Sequence, residues 1–177
     1  MKRLIVLFNF FVCISIPPAN NQVLSTNTQE AEEIGMVLEA FHKAAAGADF
    51  NLYFSFFAED AVFIGTDATE RWEKRDFMAW AKPYFDKGTT WNFTALQRHI
   101  TIDNTGQIAW FDELLDTRMK ICRGSGVLVR TNNTWKIKQY VLSMTIPNEK
   151  SDSIIKIKAP LEEEIIEFLY DKKRSEK

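Results

Sequence analysis

The sequence predicts an α+β fold, in which three N-terminal helices pack on one face of a curved antiparallel sheet and a further helix follows at the C-terminus. In the first half of the chain, apolar residues recur at three- and four-residue steps, which is typical of amphipathic helices. In the second half, long runs rich in β-branched and aromatic residues are separated by short turn sequences, which favours antiparallel hairpins. Helical segments followed by a strand meander indicate a helix layer on a sheet.

The first two helices are predicted from periodicity and from a cap. The first begins near Glu30, and Gly47 marks its end. Asp49 is well placed to cap a second, short helix by accepting hydrogen bonds from the free amides of its first turn. We expect that helix to end just before a strand over residues 61–64. The apolar stripes of the two helices consist of Ile34, Leu38, Phe41, Ala45, Leu52, Tyr53, Phe56 and Phe57.

The remaining elements are a third helix, four strands and a last helix. The third helix begins near Asp76, and Pro83 predicts a kink or an early end, because proline lacks the amide that would bond to the carbonyl four residues earlier. Pro160 opens the last helix, whose apolar stripe we expect to cover the chain's own sheet, with a partner's sheet as the alternative. The predicted strands span residues 91–103, 108–121, 126–130 and 135–146, with turns at residues 104–106, 123–125 and 131–134.

The N-terminus has the pattern of a secretory signal peptide. Lys2 and Arg3 precede an apolar run over residues 4–16, and Pro17 and Pro18 follow it. The run is short for a bilayer span, although an uncleaved anchor is the alternative. We expect a signal peptide over residues 1–19, a flexible leader over residues 20–28, the folded domain over residues 29–147, and a linker with an amphipathic helix over residues 148–177. This organisation predicts a secreted or periplasmic protein without membrane contact after cleavage.

Composition and charge argue against several classes of partner and cofactor. The formal net charge of −2 and the pI near 5.8 disfavour nucleic-acid binding, which needs a basic face. Cys13 lies in the signal segment and Cys122 is then alone, so neither a disulfide nor a cysteine-pair metal site is predicted. The sequence has no phosphate-cradling glycine loop and no His-rich metal spacing, so we expect no cofactor and no metal. Aromatic residues make up 13% of the chain, which favours a pocket lined by rings.

Several short motifs follow one another along residues 31–149. They are Asp49, FAEDAVF at residues 57–63, GTD at residues 65–67 with Trp72, AWAKPYF at residues 79–85, IAWF at residues 108–111, and WKI at residues 135–137 leading to Leu142 and Ser143. In order and spacing they resemble the SnoaL-like branch of the nuclear transport factor 2-like superfamily. The resemblance implies a cone-shaped fold with an apolar cavity at its open end, and homodimers formed through the outer sheet face. It implies no single function, because relatives include isomerases, cyclases, dehydratases, transport factors and binding modules.

Glu113 is the main candidate for a catalytic base. Strand alternation over residues 108–121 directs the odd-numbered side chains inward, which places this carboxylate among apolar neighbours. Burial raises the pKa of a carboxyl group toward the range of a general base. The alternative is a structural ion pair between Glu113 and an arginine such as Arg98 or Arg118, since such pairs also perturb pKa values.

His99 and Asp60 are further catalytic candidates. Alternation over residues 91–103 places His99 inward, where it would donate a proton to a ligand or pair with Glu113; a hydrogen-bonded strand histidine is the alternative. Asp60 lies at a level where catalytic relatives carry an acid near the cavity mouth, although aspartate is also common in turns. His42 flanks the stripe of the first helix and is expected to be a surface or packing residue.

Aromatic and polar side chains are candidate ligand contacts. The rings offer flat surfaces for stacking on an apolar ligand, although packing in the core is the alternative. On residues 135–146 the odd-numbered face is predicted to carry the inward groups. Relatives often have a histidine at the position of Gln139 or Val141, and its absence here removes a titrating group and weighs against catalysis. The candidate ligand-binding residues are Phe54, Trp72, Trp80, Tyr84, Phe111, Gln139 and Ser143.

The sequence therefore predicts a secreted protein that binds a small apolar molecule in an aromatic-lined cavity. Two alternatives stay open. One is an isomerase- or cyclase-type enzyme that uses Glu113 as general base. The other is a dimeric interaction module that acts through its outer sheet face.

Overall fold

A computed structural model describes residues 19–176, with side-chain environments from Thr28 onward. The described residues form four α-helices, six β-strands and one short 3₁₀-helix. In chain order these are α1 (Ala19–Ala46), α2 (Phe50–Ser55), β1 (Phe57–Ile64), β2 (Arg71–Glu73), α3 (Lys74–Asp86), β3 (Thr94–Ile102), β4 (Ile108–Thr117), β5 (Lys120–Thr131), β6 (Thr134–Met144), the 3₁₀-helix (Asn148–Lys150) and α4 (Ser151–Ser175).

The six strands form one curved sheet that does not close into a barrel, in the order β2-β1-β6-β5-β4-β3. Helices α1, α2 and α3 pack on its concave face, where apolar side chains of both layers form the core. The predicted α+β architecture is thereby confirmed. Neighbouring strands pair antiparallel except β1 and β6, which run parallel. These two strands lie far apart along the chain, so no hairpin turn forces them to run in opposite directions.

Helices α1 and α2 are held by the apolar stripe and the cap that the sequence predicts. Ile34, Leu38 and Phe41 are buried against the sheet. The Asp49 carboxylate accepts a hydrogen bond from the Leu52 amide at 3.0 Å, which satisfies one of the free donors at the start of α2.

Two helix boundaries differ from the predicted ones. α1 begins at Ala19 and therefore includes residues 20–28, for which the sequence predicts a flexible leader; no glycine or proline interrupts the helix there. α2 ends at Ser55, and β1 begins at Phe57, because that side chain is buried and its residue pairs with Ile137 on β6. The predicted strand at residues 61–64 is thus only the second half of β1. The signal peptide predicted over residues 1–19 lies outside the described residues except for its last residue.

Pro83 does not end α3, so the early end, one of the two outcomes that the sequence predicts for this proline, is wrong. The helix continues to Asp86, and the buried ring of Phe85 anchors its last turn in the core. Pro83 and Ala79 both lie on the exposed side of α3. Because of this, water can satisfy the Ala79 carbonyl that the proline leaves without an amide partner.

The hairpin between β4 and β5 turns earlier than predicted. β4 ends at Thr117 and β5 begins at Lys120, whose φ of 68° lies in the left-handed region. The Thr117 hydroxyl stabilises the turn by accepting from the Met119 amide and donating to the Lys120 carbonyl, both at 2.9 Å. Residues 123–125, predicted as a turn, instead lie in the middle of β5. The predicted strand over residues 108–121 is therefore two strands.

Register shifts in β3 and β6 interrupt the alternation of side chains. On β3 the pairing with β4 shifts between Ala95 and Gln97, and on β6 the pairing with β5 skips Lys138. An extra residue in one strand reverses which side chains face the core beyond it. Even-numbered residues therefore point inward beyond each bulge, where the sequence analysis places odd-numbered ones. On β4, which has no bulge, the predicted inward face is correct.

Helix α4 begins at Ser151, nine residues before the predicted start, and it contains Pro160 within its length. None of its residues is buried. The expectation that its apolar stripe covers the chain's own sheet is therefore wrong. Across residues 19–176, no helix is both long and apolar enough to cross a membrane.

Candidate functional site

Glu113 lies at the centre of a buried ionic network. Its side chain on β4 is fully buried and points inward, as alternation predicts. Oε1 accepts hydrogen bonds from His42 Nε2 at 2.8 Å and from Tyr140 Oη at 2.9 Å. Oε2 accepts from Arg98 Nε at 2.8 Å, and Arg98 Nη2 lies 2.7 Å from the same oxygen. We call these four residues the Glu113 network.

The electrostatics of the Glu113 network favour the ionised carboxylate. Burial alone raises the pKa of Glu113, but the hydrogen bond from His42 and the charge of Arg98 outweigh burial, so the pKa is lowered from its usual value. The expectation of a raised pKa is therefore wrong. Burial and the neighbouring Glu113 carboxylate hold the pKa of Tyr140 well above its usual value, so its hydroxyl remains a donor. The structural ion pair with Arg98, the alternative that the sequence left open, is what the structure shows.

Five elements bring the Glu113 network together. α1 supplies His42, while the bulges of β3 and β6 turn Arg98 and Tyr140 toward β4. Gly124 on β5 pairs with Glu113 and leaves space for it, since a Cβ at this position would lie 2.9 Å from Glu113 Oε1 and closer still to Tyr140 Oη. This glycine within a strand therefore allows the Glu113 and Tyr140 side chains to lie close to the β5 backbone, and it does not form a turn.

The sequence analysis missed the roles of His42 and Tyr140. His42 is buried, as the packing alternative for it predicts, but its hydrogen bond to Glu113 was not predicted. It follows Leu38 by four residues and so lies on the buried stripe of α1, which was a usable signal. Tyr140 had no such signal, because only the bulge at Lys138 turns it inward.

A cavity of about 970 Å³ opens beside the Glu113 network, between α3 and the inner sheet face. Much of its wall consists of aromatic rings that contact one another: Trp72 and Trp80 stack with ring centroids 4.9 Å apart, and the Tyr84 ring is tilted against Trp80 at 5.0 Å. The aromatic wall residues are Phe63, Trp72, Phe77, Trp80, Tyr84, Trp91 and Phe93. Glu113 is not among the wall residues. We call this space the aromatic cavity.

Three of the predicted ligand-binding residues, Trp72, Trp80 and Tyr84, line the aromatic cavity together. Phe54 and Phe111 are instead buried in the core and are not part of the wall. This is the core alternative that the sequence left open for them.

The predicted inward positions of Gln139 and Ser143 are wrong. Both are exposed, because the bulge at Lys138 reverses the face of β6. Leu142, their neighbour on the strand, contributes to the cavity wall in their place.

The predicted positions of His99 and Asp60 are also wrong. Beyond the bulge of β3, His99 is exposed, and its Nδ1 lies 3.4 Å from the Asp112 carboxylate rather than near Glu113. Asp60 lies within β1 and forms an exposed ion pair with Lys138, whose hydrogen bond lowers the pKa of Asp60. Neither residue lines the aromatic cavity.

The polar groups of the cavity wall differ from those of the Glu113 network. Glu70, Asp116, Thr117 and Arg118 lie among the rings of the wall. Over the described part of the chain, no group of three or more histidine, cysteine, aspartate and glutamate side chains is arranged to hold a metal ion. The arrangement offers stacking surfaces and a few hydrogen-bonding groups to a molecule that enters it.

Comparison with known proteins identifies the family. A family model described as SnoaL-like domain matches residues 34–147. A search of curated proteins found no match to the chain. A protein of unknown function from Pseudomonas putida with a nuclear transport factor 2-like fold shares 15% identity, with 72% of this chain and 92% of that chain covered and a TM-score of 0.57. A domain of unknown function from Nostoc punctiforme with a cystatin-like fold shares 12% identity, with 83% and 98% covered and a TM-score of 0.59.

The association domain of C. elegans CaMKII is a further structural neighbour, at 17% identity, with 67% of this chain and 98% of that chain covered and a TM-score of 0.56. Identities this low establish a shared fold and nothing further. The family match is the stronger finding, because it extends over more than half of the sequence and includes β1 through β6. The chain belongs to the SnoaL-like domain family.

Proposed function

We propose that this protein binds a small, mainly apolar molecule in the aromatic cavity. The observation that carries the proposal is the exposure of stacked rings in the wall. Trp80 and Tyr84 line the cavity and keep 40% and 43% of their surfaces exposed, whereas Phe77 on the same helix is buried. Large rings that remain open to a concave space are a common feature of ligand sites.

The size and chemistry of the cavity support this proposal. Its volume of about 970 Å³ lies within the range of about 300–1,000 Å³ typical of small-molecule sites. A flat apolar ligand would gain by covering the exposed ring faces, at about 25 cal/mol for each Å² removed from water, and by stacking on Trp72 and Trp80. The charged residues Asp116 and Arg118 would orient it.

The structure gives little support to an isomerase- or cyclase-type reaction with Glu113 as base. Both carboxylate oxygens already accept hydrogen bonds from His42, Arg98 and Tyr140, and the lowered pKa makes the group a poor proton acceptor near neutral pH. Glu113 also lies outside the cavity wall. We therefore assign the Glu113 network to stability and the aromatic cavity to binding.

Native mass spectrometry of the protein purified from its source organism tests the binding proposal. A non-covalent adduct should be present in the wild-type protein and be depleted in Trp80→Ala. Trp110→Ala is the matched control, because Trp110 lies on the exposed outer face of the sheet and should leave the adduct unchanged. Equal adduct in all three proteins, or none after incubation with lipophilic extracts, would contradict the proposal.

We further propose that the protein is exported and cleaved after Ala19. The support is the signal-like pattern of residues 1–19, with basic residues before a short apolar run. Intact-mass analysis of the protein expressed with its own N-terminus should find a mature chain that begins at Asn20. A mass that includes residues 1–19 would show a retained segment instead.

Self-association through the outer sheet face is a second candidate function. It is favoured by large apolar side chains exposed on that face, namely Leu96, Ile108, Trp110 and Ile121. The structural likeness to an association domain adds support. Sedimentation equilibrium should show a dimer that Trp110→Lys weakens, and a wild-type protein that remains monomeric at high concentration would remove this candidate.

A further inference from the structure

The C-terminal half of α4, residues 161–175, carries an apolar surface that the rest of the described chain leaves open. Leu161 and Phe168 keep 73% and 66% of their surfaces exposed. A solitary helix of this length is marginal in water, because helical stability in proteins comes mostly from packing of the apolar face. The helix therefore requires a partner that residues 19–150 do not provide.

Four of the six large apolar residues of this half-helix form one continuous stripe, and Ile166 and Tyr170 lie outside it. Leu161, Ile165, Phe168 and Leu169 fall within about 100° of the helix circumference at 3.6 residues per turn. Their spacing of four, three and one residues is that of a seam between two helices. Tyr170 lies about 200° away from Phe168, on the other side of the helix.

Two blocks of opposite charge flank the stripe. Residues 162–164 are all glutamate, which we call the acidic block, and residues 172–174 are Lys, Lys and Arg, which we call the basic block. Within α4 the ion pairs join Lys158 to Glu162 and Arg174 to Asp171. Among the ion pairs of the described residues, none involves Glu163, Glu164, Lys172 or Lys173. Glu164, Lys172 and Lys173 lie on or beside the stripe and are available to a partner, whereas Glu163 lies on the opposite side of the helix.

We propose that residues 161–175 pair antiparallel with the same residues of a second copy of this chain. Antiparallel pairing places each acidic block beside the basic block of the other copy, whereas parallel pairing would place like charges side by side. Residue 168 lies midway between the centres of the two blocks, residues 163 and 173. In the charge-matched register Phe168 therefore lies on the two-fold axis and packs against Phe168 of the second copy.

Charge disfavours a lipid surface as the occupant. The half-helix has five acidic and three basic side chains, so it would be repelled by anionic headgroups, whereas interfacial helices are rich in lysine and arginine. A second copy supplies both an apolar stripe and the complementary charges, because its helix is identical.

Disulfide trapping in the full chain tests the pairing and its direction. In a Cys13→Ser background that retains buried Cys122, Phe168→Cys should form a covalent dimer under mild oxidation. Leu161→Cys alone should not, because two copies of residue 161 would lie about 21 Å apart along antiparallel helices, while a disulfide needs Cα atoms within about 7 Å. A mixture of Leu161→Cys and Ser175→Cys should cross-link. Tyr170→Cys is the matched control, near the axis but on the opposite side, and should form no covalent dimer.

Three outcomes would overturn the proposal. Equal self-cross-linking of Leu161→Cys and Phe168→Cys would indicate a parallel pair. Trapping of Tyr170→Cys as readily as Phe168→Cys would indicate random collision. Absence of cross-links from Phe168→Cys and from the Leu161→Cys and Ser175→Cys mixture would show that α4 does not pair with α4.

Ionic strength and charge provide an independent readout. Sedimentation should show a dissociation constant that rises with salt, and Lys172→Glu with Lys173→Glu should raise it by about three- to tenfold. Trp110→Lys, on the outer sheet face, should leave the Phe168→Cys cross-link unchanged, which separates this contact from association through the sheet. A cross-link that Trp110→Lys abolishes would show that two copies of α4 meet only within a dimer formed through the sheet, and would contradict helix pairing as a contact of its own.

Discussion

The Glu113 network and the aromatic cavity adjoin each other on the concave side of one sheet. The polar groups of the network are paired within the protein, whereas rings of the cavity wall remain partly uncovered. In the network, both carboxylate oxygens are occupied by protein donors, and the side chain is fully buried. In the cavity, the neighbouring rings of Trp80 and Tyr84 remain partly exposed. A site whose partners are all internal stabilises the fold, and a concave surface without partners is free to bind.

The largest effect should follow removal of the negative charge from the network. Glu113→Gln leaves Arg98 and His42 buried beside a neutral amide, and we expect a loss of about 3–5 kcal/mol in the free energy of unfolding. Urea denaturation measures this loss. Asp112→Asn, the neighbouring exposed carboxylate on β4, is the control and should change stability by less than about 0.5 kcal/mol. Equal losses of stability in Glu113→Gln and Asp112→Asn would show that the Glu113 network does not stabilise the fold more than an exposed ion pair does.

Crowding the network should have a somewhat smaller effect. Gly124→Ala introduces a Cβ that would collide with Tyr140 Oη and Glu113 Oε1, so we expect a loss of about 1–3 kcal/mol in unfolding free energy. Ser125→Ala, the next residue on β5, should be nearly neutral. Thermal or urea unfolding of both variants gives the comparison. If Gly124→Ala leaves the free energy of unfolding unchanged, Tyr140 and Glu113 do not require a residue without a Cβ at this position.

Acidic pH should weaken the Glu113 network in the wild-type protein. Because the pKa of Glu113 is lowered in the folded protein, its ionised form contributes stability that is fully present above the ordinary glutamate pKa of about 4.3. That contribution is lost as pH falls from this value through the lowered pKa. The stability gap between wild type and Glu113→Gln should therefore be constant near neutral pH and narrow in acid. A gap that widens in acid would require a raised pKa instead.

Much of the fold is readable from the sequence because it depends on local patterns. The stripe of α1, the Asp49 cap and the inward face of β4 all follow from periodicity or from a single side chain. The cavity residues Trp72, Trp80 and Tyr84 were found for a similar reason, since they lie on or beside one short helix.

The failures have a common physical origin in strand pairing. His99, Gln139 and Ser143 were assigned to the wrong face because β-bulges at Leu96 and Lys138 reverse the alternation. A bulge is set by the register of two strands, which one strand's sequence does not reveal. Gly124 was assigned to a turn for a related reason, since its close neighbours come from β4 and β6.

The most direct test of the division between the two regions compares binding of the neutral apolar dye Nile red to two variants. Trp80→Ala removes an exposed ring of the cavity and should weaken dye binding about tenfold, or about 1.4 kcal/mol, with little loss of stability. Tyr140→Phe removes one hydrogen bond of the Glu113 network and should cost about 1 kcal/mol in stability while leaving dye affinity unchanged. Fluorescence titration and urea unfolding of the same samples measure both quantities. Loss of affinity in Tyr140→Phe together with full affinity in Trp80→Ala would contradict the account.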